Sequence, residues 1–169
     1  MAHLTLSLLG SIQMTLDGHA LAFESDKARA LLIYLALAAG RPVRREALGA
    51  LFWPEHDETS ALQNVRKTLH RLRQTLRDGD ATREPFLLVT PQAVEFNVGS
   101  DFALDVALFQ ALLAETLRHR HRRLDGCRAC AERLARALDL YRGDFLAGFT
   151  LKDSPAFDEW CALQREHLH

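Results

Sequence analysis

The sequence predicts an α+β unit followed by an all-α unit, and three patterns support this division. Short alternating apolar segments near the N-terminus indicate antiparallel strands. Residues 60–77 keep apolar side chains at intervals of three and four, which indicates an amphipathic helix. From Asp101 onward the apolar side chains keep helical spacing only. We therefore predict two domains, residues 1–99 and residues 100–169.

The first predicted element is a small antiparallel sheet. Residues 4–9 and 12–16 alternate or run apolar, as half-buried strands do. Asp17 and Gly18 form a hairpin turn signal that leads into a third apolar segment at residues 20–23. The three segments are close enough in sequence to pair with one another.

Two helices are predicted after the sheet. Ser25 is an N-cap candidate for a helix over residues 27–39, which Gly40 ends. A shorter helix covers residues 44–52 and is closed by Pro54.

The basic helix at residues 60–77 has the clearest functional pattern. Opposite its apolar stripe it presents Gln, Asn, Lys and Arg, and no acidic residue lies between Glu58 and Asp78. Arg and Lys suit guanine and phosphate, whereas Asn and Gln suit adenine. The pattern indicates a helix that reads the major groove of DNA. An ordinary solvated helix face has a similar composition, so this segment alone leaves both interpretations open.

A predicted hairpin follows the basic helix and favours the first interpretation. Residues 86–98 form two strand-like halves around the turn signal at residues 90–92. Sheet, two helices, basic helix and hairpin, in this order, predict a winged helix-turn-helix. In such a fold the hairpin reaches phosphates or the minor groove beside the recognition helix.

The residues expected to contact DNA follow from this arrangement. Those expected at or near base edges are Gln63, Asn64, Lys67, Thr68 and Arg71. Those expected at phosphates or on the wing are Arg66, Arg73, Arg44, Arg45, Thr90 and Gln92. Arg73 has an alternative role as a structural residue that pairs with an acid. The formal net charge is −1, so affinity for DNA has to come from clustered positive charge.

Short signatures recur in order along nearly the whole chain. In the first part they are residues 8–10, 17–18, 27–32, 41–43 and 51–54, with Asn64, Val65, Leu69, Leu72, Arg73 and Leu76. In the second part they are Asp105, Phe109, residues 137–149, Phe157 and Trp160. Together they resemble SARP-like bacterial transcriptional regulators, in which an OmpR-type (OmpR/PhoB-like) winged helix precedes a bacterial transcriptional activation domain.

The resemblance implies a function as well as a fold. It implies a transcriptional activator that binds double-stranded promoter DNA at repeated sites, where a dimer could form, and that recruits RNA polymerase. It also implies a tetratricopeptide-like helical domain with more helices than residues 100–169 can hold. We therefore expect this chain to be a truncated piece of a larger regulator.

A His/Cys cluster in the helical part is a candidate metal site. His119, His121, Cys127 and Cys130 can supply a tetrahedral shell for a structural zinc ion. Helix N-terminal amides and nearby arginines are expected to lower the thiol pKa values. This requires the preceding helix to end near Leu117. The alternatives are histidines that complement a helix dipole beside two ordinary buried cysteines, or an incidental dithiol.

Other function classes find less support in the sequence. It has no Gly-rich phosphate loop, GxSxG elbow or HExxH pair, so we expect no enzymatic activity. The longest apolar run, about ten residues, is too short to span a bilayer. The N-terminus is unlike a signal peptide. We therefore expect a cytoplasmic protein without a membrane partner. Two alternatives to a DNA reader remain: a protein-interaction module, and a regulator that responds to metal or redox state through its cysteines.

Overall fold

The computed structural model describes residues 3–120, 123 and 125–169. The strands are β1 (Leu4–Ser7), β2 (Gln13–Leu16), β3 (His19–Ala20), β4 (Val43–Arg44), β5 (Leu87–Val89), β6 (Ala93–Phe96) and β7 (Phe102–Leu104). The helices are α1 (Asp26–Leu37), α2 (Arg45–Phe52), α3 (Glu58–Thr75), α4 (Asp105–Arg118), α5 (Arg128–Leu140) and α6 (Pro155–Leu168). The predicted order, a winged helix followed by a helical region, is confirmed.

The first sheet has the strand order β3-β2-β1-β7. Strands β1 and β2 are antiparallel, and the positive φ angles of Asp17 (53°) and Gly18 (79°) form the tight turn that leads into β3. Strand β7 pairs with β1 in parallel, with Leu4 opposite Phe102. The residues just beyond position 99 therefore complete the sheet that the N-terminal residues begin. The division into residues 1–99 and 100–169 stays a prediction.

A second sheet has the strand order β4-β6-β5, and helices α1, α2 and α3 enclose an apolar core with the two sheets. The Ser25 side chain accepts a hydrogen bond from the Ala28 amide at 3.1 Å, so it caps α1 as expected. Leu31, Ile33 and Phe52 are fully buried in this core. Their burial removes a large apolar area from water and stabilises the winged-helix part.

Helices α4 and α5 form an antiparallel pair. The Phe109 and Tyr141 rings lie 5.6 Å apart at one end, and the Glu115 and Arg133 side chains form an ion pair at 3.4 Å nearer the other end. The pair belongs to the predicted helical region, and its tetratricopeptide-like character stays a prediction.

Helix α6 packs on the winged-helix part. The Phe157 ring lies 5.5 Å from Phe52, and the Trp160 ring lies 5.0 Å from Tyr34. The Ser154 hydroxyl donates a hydrogen bond to the Leu51 carbonyl at the end of α2. The aromatic residues of α6 therefore extend the core of the first three helices.

The segment between α5 and α6 also pairs with the first sheet. The Leu146 amide donates to the Leu8 carbonyl at 2.9 Å, and the Gly10 amide donates to the Asp144 carbonyl at 3.0 Å. Gly10 has a φ of 111°, and a Cβ at this position would lie 3.3 Å from Arg142 atoms. A side chain at Gly10 would therefore be strained and crowded.

Candidate DNA interface and metal-binding cluster

Helix α3 begins at a well-formed cap. The Asp57 carboxylate accepts hydrogen bonds from the Ser60 amide at 3.2 Å and from the Ser60 hydroxyl at 2.6 Å. These bonds, that of the hydroxyl first, lower the pKa of Asp57 below its ordinary value. An ionised carboxylate at this end also interacts favourably with the helix dipole. These interactions stabilise the first turn of the helix.

The two faces of α3 match the predicted pattern. The buried stripe consists of Ala61, Val65, Leu69 and Leu72. The predicted contact residues exposed on the other side are Gln63, Arg66, Lys67, Arg71 and Arg73. Asn64 and Thr68 are half-buried at its edge, so they are less accessible than the other predicted contact residues. The assignment of all seven to DNA contacts stays a prediction.

The wing is the β5–β6 hairpin with its turn at residues 90–92. The Thr90 hydroxyl accepts a hydrogen bond from the Ala93 amide at 2.9 Å and donates one to the Ala93 carbonyl at 3.1 Å. The hydroxyl therefore shapes the turn itself. The Thr90 and Gln92 side chains are both exposed.

Strand β4 brings the start of α2 to this hairpin. Arg44 lies opposite Ala93, and the Arg45 amide donates to the Gln92 carbonyl at 3.0 Å. The structure therefore brings together Arg44, Arg45, Thr90 and Gln92, which are widely separated in sequence. The Arg44 side chain is 80% exposed and lies 3.7 Å from Glu46. Arg45 is half-buried, and its Nε has no hydrogen-bond partner in the part of the chain that the structure describes.

Asp78 fixes the wing relative to α3, a role that the sequence reading missed. Its carboxylate accepts hydrogen bonds from the Phe86 amide at 2.9 Å and the Leu87 amide at 3.0 Å. Burial raises the pKa of Asp78 above its ordinary value, although these two bonds and the Arg73 charge oppose the shift. In the sequence, Asp78 and Gly79 indicated only the end of the helix.

Glu24 is a second residue that the sequence reading missed. Its carboxylate forms an ion pair with the Arg71 guanidinium on the exposed side of α3. Both side chains are about half exposed, at 52% for Glu24 and 55% for Arg71. Local sequence patterns do not indicate this contact, because the two residues belong to different elements.

The His/Cys cluster lies where α4 meets α5. Helix α4 ends at Arg118 and His119 is its C-cap residue, so the helix ends near Leu117 as the metal hypothesis required. The His119 Nδ1 atom lies 3.1 Å from Cys130 Sγ and 3.4 Å from Cys127 Sγ. The three donor atoms lie within 4.8 Å of one another, and the group could hold a metal ion. His121, the fourth predicted ligand, lies outside the described residues.

The two clustered thiols differ in their ionisation. A hydrogen bond from the Cys130 amide lowers the pKa of Cys127, as expected for a thiol at a helix N-terminus. The expectation is wrong for Cys130, because burial and the neighbouring Cys127 raise its pKa. Cys161 is separate from the cluster on α6, and burial raises its pKa to about 12.

No helix in the described part of the chain is both long enough and apolar enough to cross a membrane.

Comparison with known proteins assigns the basic helix and wing to a family. Residues 23–92, from just before α1 to the wing turn, match the family described as "Transcriptional regulatory protein, C terminal". The regulatory protein AfsR of Streptomyces coelicolor is 35% identical over 146 residues, which are 86% of this chain and 14% of that protein. The transcriptional regulatory protein EmbR of Mycobacterium tuberculosis is 29% identical over 108 residues, 64% of this chain and 28% of that protein.

A solved structure supports the assignment over almost the whole chain. It is described as Mycobacterium tuberculosis EmbR in complex with a low-affinity phosphopeptide, and it superposes with a TM-score of 0.73 at 25% identity. The superposition covers 99% of this chain and 43% of that one, so the chain spans less than half of these relatives. Residues 23–92 thus form an OmpR-type winged helix of this family, and over most of its length the chain is similar to part of transcriptional regulators of the OmpR/SARP type.

Proposed function

We propose that the chain reads double-stranded promoter DNA with the exposed side of α3 and the turn of the β5–β6 hairpin. The observation that supports this most is the exposed surface of α3 beyond Glu58, which is basic and amide-rich and carries no acidic residue from Thr59 to the end of the helix. Gln63, Lys67 and Arg71 are proposed to contact base edges, with Asn64 and Thr68 at the border of this contact. Arg66, Arg73, Arg44, Arg45, Thr90 and Gln92 are proposed to contact phosphates or to belong to the wing contact.

The wider biological role is part of the same proposal. We infer a cytoplasmic activator that binds repeated sites, with a dimer on the DNA, and that recruits RNA polymerase. Support comes from the relatives, which are described as a regulatory protein and a transcriptional regulatory protein.

The DNA proposal is tested by selection from a pool of random-sequence duplexes, followed by sequencing at several salt concentrations. We expect a repeated motif to be enriched and its affinity to fall as salt rises, because cations on the protein replace counterions on DNA. Arg71→Ala should lower the preference for the enriched site over a scrambled duplex by about 1–3 kcal/mol. Arg128→Ala, at an exposed position on α5, is the matched control and should leave this preference unchanged.

Two outcomes of that selection would contradict the proposal. Retention of no duplex above background would favour a protein-interaction module, in which the helical part makes the functional contacts. An enriched motif whose recognition is unaffected by substitutions at Gln63, Lys67 and Arg71 would show that another surface reads the bases.

We also propose that the His/Cys cluster binds a structural zinc ion. With tetrahedral zinc geometry, a nitrogen and a sulfur ligand lie about 3.6 Å apart, so the distances of 3.1 and 3.4 Å from His119 Nδ1 to the two sulfurs need only small adjustments. His119, Cys127 and Cys130 supply three ligands, and His121 is proposed as the fourth. Four protein ligands leave no open position for catalysis. Because the ligands come from the end of α4 and the start of α5, the ion would join the two helices.

Zinc binding is tested by loading the reduced chain with Zn²⁺, removing the excess by gel filtration and measuring bound metal by elemental analysis. We expect one zinc per chain in the parent and in Cys161→Ala, the matched control, because Cys161 is buried elsewhere on α6. Cys127→Ser and Cys130→Ser should lose the metal. Equal retention by Cys127→Ser, or no retention by the parent, would contradict the proposal. His121→Ala tests the fourth position separately.

A further inference from the structure

One acidic residue, Glu24, forms an ion pair with the proposed base-reading face of α3. No other acid does so among the described residues. It precedes the Ser25 cap of α1 and contacts the Arg71 guanidinium. Arg71 is also the cation on this face that suits guanine best, because its planar guanidinium can donate two parallel hydrogen bonds. A carboxylate and a guanine edge would therefore compete for the same donors.

The ion pair has little to contribute to folding. Both side chains are about half exposed, and pairs of this kind typically contribute between 0 and about 1 kcal/mol to stability. The start of α1 is already held by the Ser25 cap, and the α1 residues that follow are buried in the core. The main effect of Glu24 should consequently fall on what Arg71 can bind.

Glu24 also places a negative charge beside the surface that would face the negatively charged duplex. Like charges at this distance oppose association, and salt screens them only in part when they come within a Debye length of each other. Competition for the Arg71 guanidinium and charge repulsion by Glu24 would both weaken DNA binding. Only the competition depends on Arg71. This difference makes the role of the contact measurable.

We propose that Glu24 is a positioning residue that restrains Arg71 and weakens DNA binding by competing with DNA for its guanidinium. The inference rests on the proposed function of α3. When DNA binds, the Arg71 side chain exchanges the Glu24 carboxylate for an acceptor on the duplex, and the Glu24 carboxylate returns to water. The restraint lowers affinity at every site where Arg71 contacts DNA.

The test is a double-mutant cycle with Glu24→Gln, Arg71→Gln and the double variant. Binding to a fluorescently labelled random-sequence duplex is measured by anisotropy at several salt concentrations. Glu24→Gln should tighten binding about two- to fivefold, the range expected for an exposed ion pair. In the Arg71→Gln background the same substitution should change affinity by much less. Glu55→Gln, an exposed acid in the loop before α3, measures the general effect of removing one negative charge.

Four results would overturn the inference. An equal gain from Glu24→Gln with and without Arg71 would show a general charge effect and no competition. Lower affinity together with a lower unfolding temperature in Glu24→Gln would show a structural role. A parent chain that binds no duplex would overturn the proposed function and this inference with it, whereas unchanged affinity of Glu24→Gln beside a binding parent would overturn the inference alone.

Discussion

Helices α3 and α5 are both amphipathic and rich in arginine, yet they are packed very differently. Helix α3 buries Ala61, Val65, Leu69 and Leu72 along one continuous stripe. Helix α5 buries only Cys130 and Ala137, and its Leu138 is 73% exposed. The first helix completes a core, whereas the second packs mainly against α4 in the part of the chain that the structure describes. The comparison shows that an amphipathic pattern predicts a helix but not how much of its apolar side the chain covers.

We expect the largest difference in stability effects between the two regions when a core residue at the junction with α6 is truncated. Phe52 is fully buried and contacts the rings of Tyr34, Trp53 and Phe157. Phe52→Ala should lower the free energy of unfolding by about 3–5 kcal/mol, because it leaves a cavity in the core. Leu138→Ala, on the exposed side of α5, should change it by less than about 0.5 kcal/mol. Urea unfolding followed by circular dichroism measures both.

Metal binding offers a way to stabilise the less covered region. If Zn²⁺ joins the ends of α4 and α5, then Zn²⁺ at 100 times its dissociation constant should raise the free energy of unfolding by about 2.7 kcal/mol. Thermal unfolding of the reduced chain with and without Zn²⁺ measures the change. Cys130→Ser should remove the gain, and Cys161→Ala should keep it. A gain of the same size in Cys130→Ser would place the ion elsewhere.

Within the better-packed region, the wing depends on one carboxylate. Asp78→Ala would leave the buried Phe86 and Leu87 amides without their acceptor. We expect a loss of about 1–3 kcal/mol in the free energy of unfolding. Hydrogen exchange should show the largest loss of protection in β5. Uniform loss across α4 and α5 would contradict a local role for Asp78.

Ionisation of Asp78 should also have a smaller effect, on how the free energy of unfolding changes with pH. Its pKa is raised above the ordinary value of 3.8, so the folded state binds the proton more tightly than the unfolded state does. The resulting stability is fully present below pH 3.8 and is lost as pH rises through the raised pKa. The free energy of unfolding of the parent minus that of Asp78→Asn should therefore fall as pH rises from 3.8 through the raised pKa. Above that pKa it should stay constant. Parallel urea titrations at acidic pH check this, and a difference that rises with pH would contradict it.

Local sequence patterns predicted most elements of the fold, and their limits have a physical cause. The Ser25 cap, the turn at Asp17 and the buried stripe of α3 all depend on residues a few positions apart. Pairing between segments that are distant in sequence leaves no pattern within either segment. The contacts of Glu24 with Arg71 and of β7 with β1 therefore required the structure.

The candidate sites show the same limit. The exposure of Gln63, Lys67 and Arg71 followed from helical spacing, whereas the partial burial of Asn64 depends on the neighbouring elements. The approach of His119 to the two cysteines was predicted from their positions at helix ends. The opposite pKa shifts of Cys127 and Cys130 depend on burial, which spacing does not determine.

The parallel pairing of β1 with β7 also bears on how the chain folds during synthesis. Leu4 pairs with Phe102, so nearly a hundred residues beyond Leu4 must leave the ribosome before the sheet can close. Until then β1 has an open edge, which could pair with another nascent chain. Closing a loop of this length is slow compared with forming local helices. Strands β1 and β2 can thus pair early, whereas β7 joins them late, and in the interval the edge of β1 is open to misassembly.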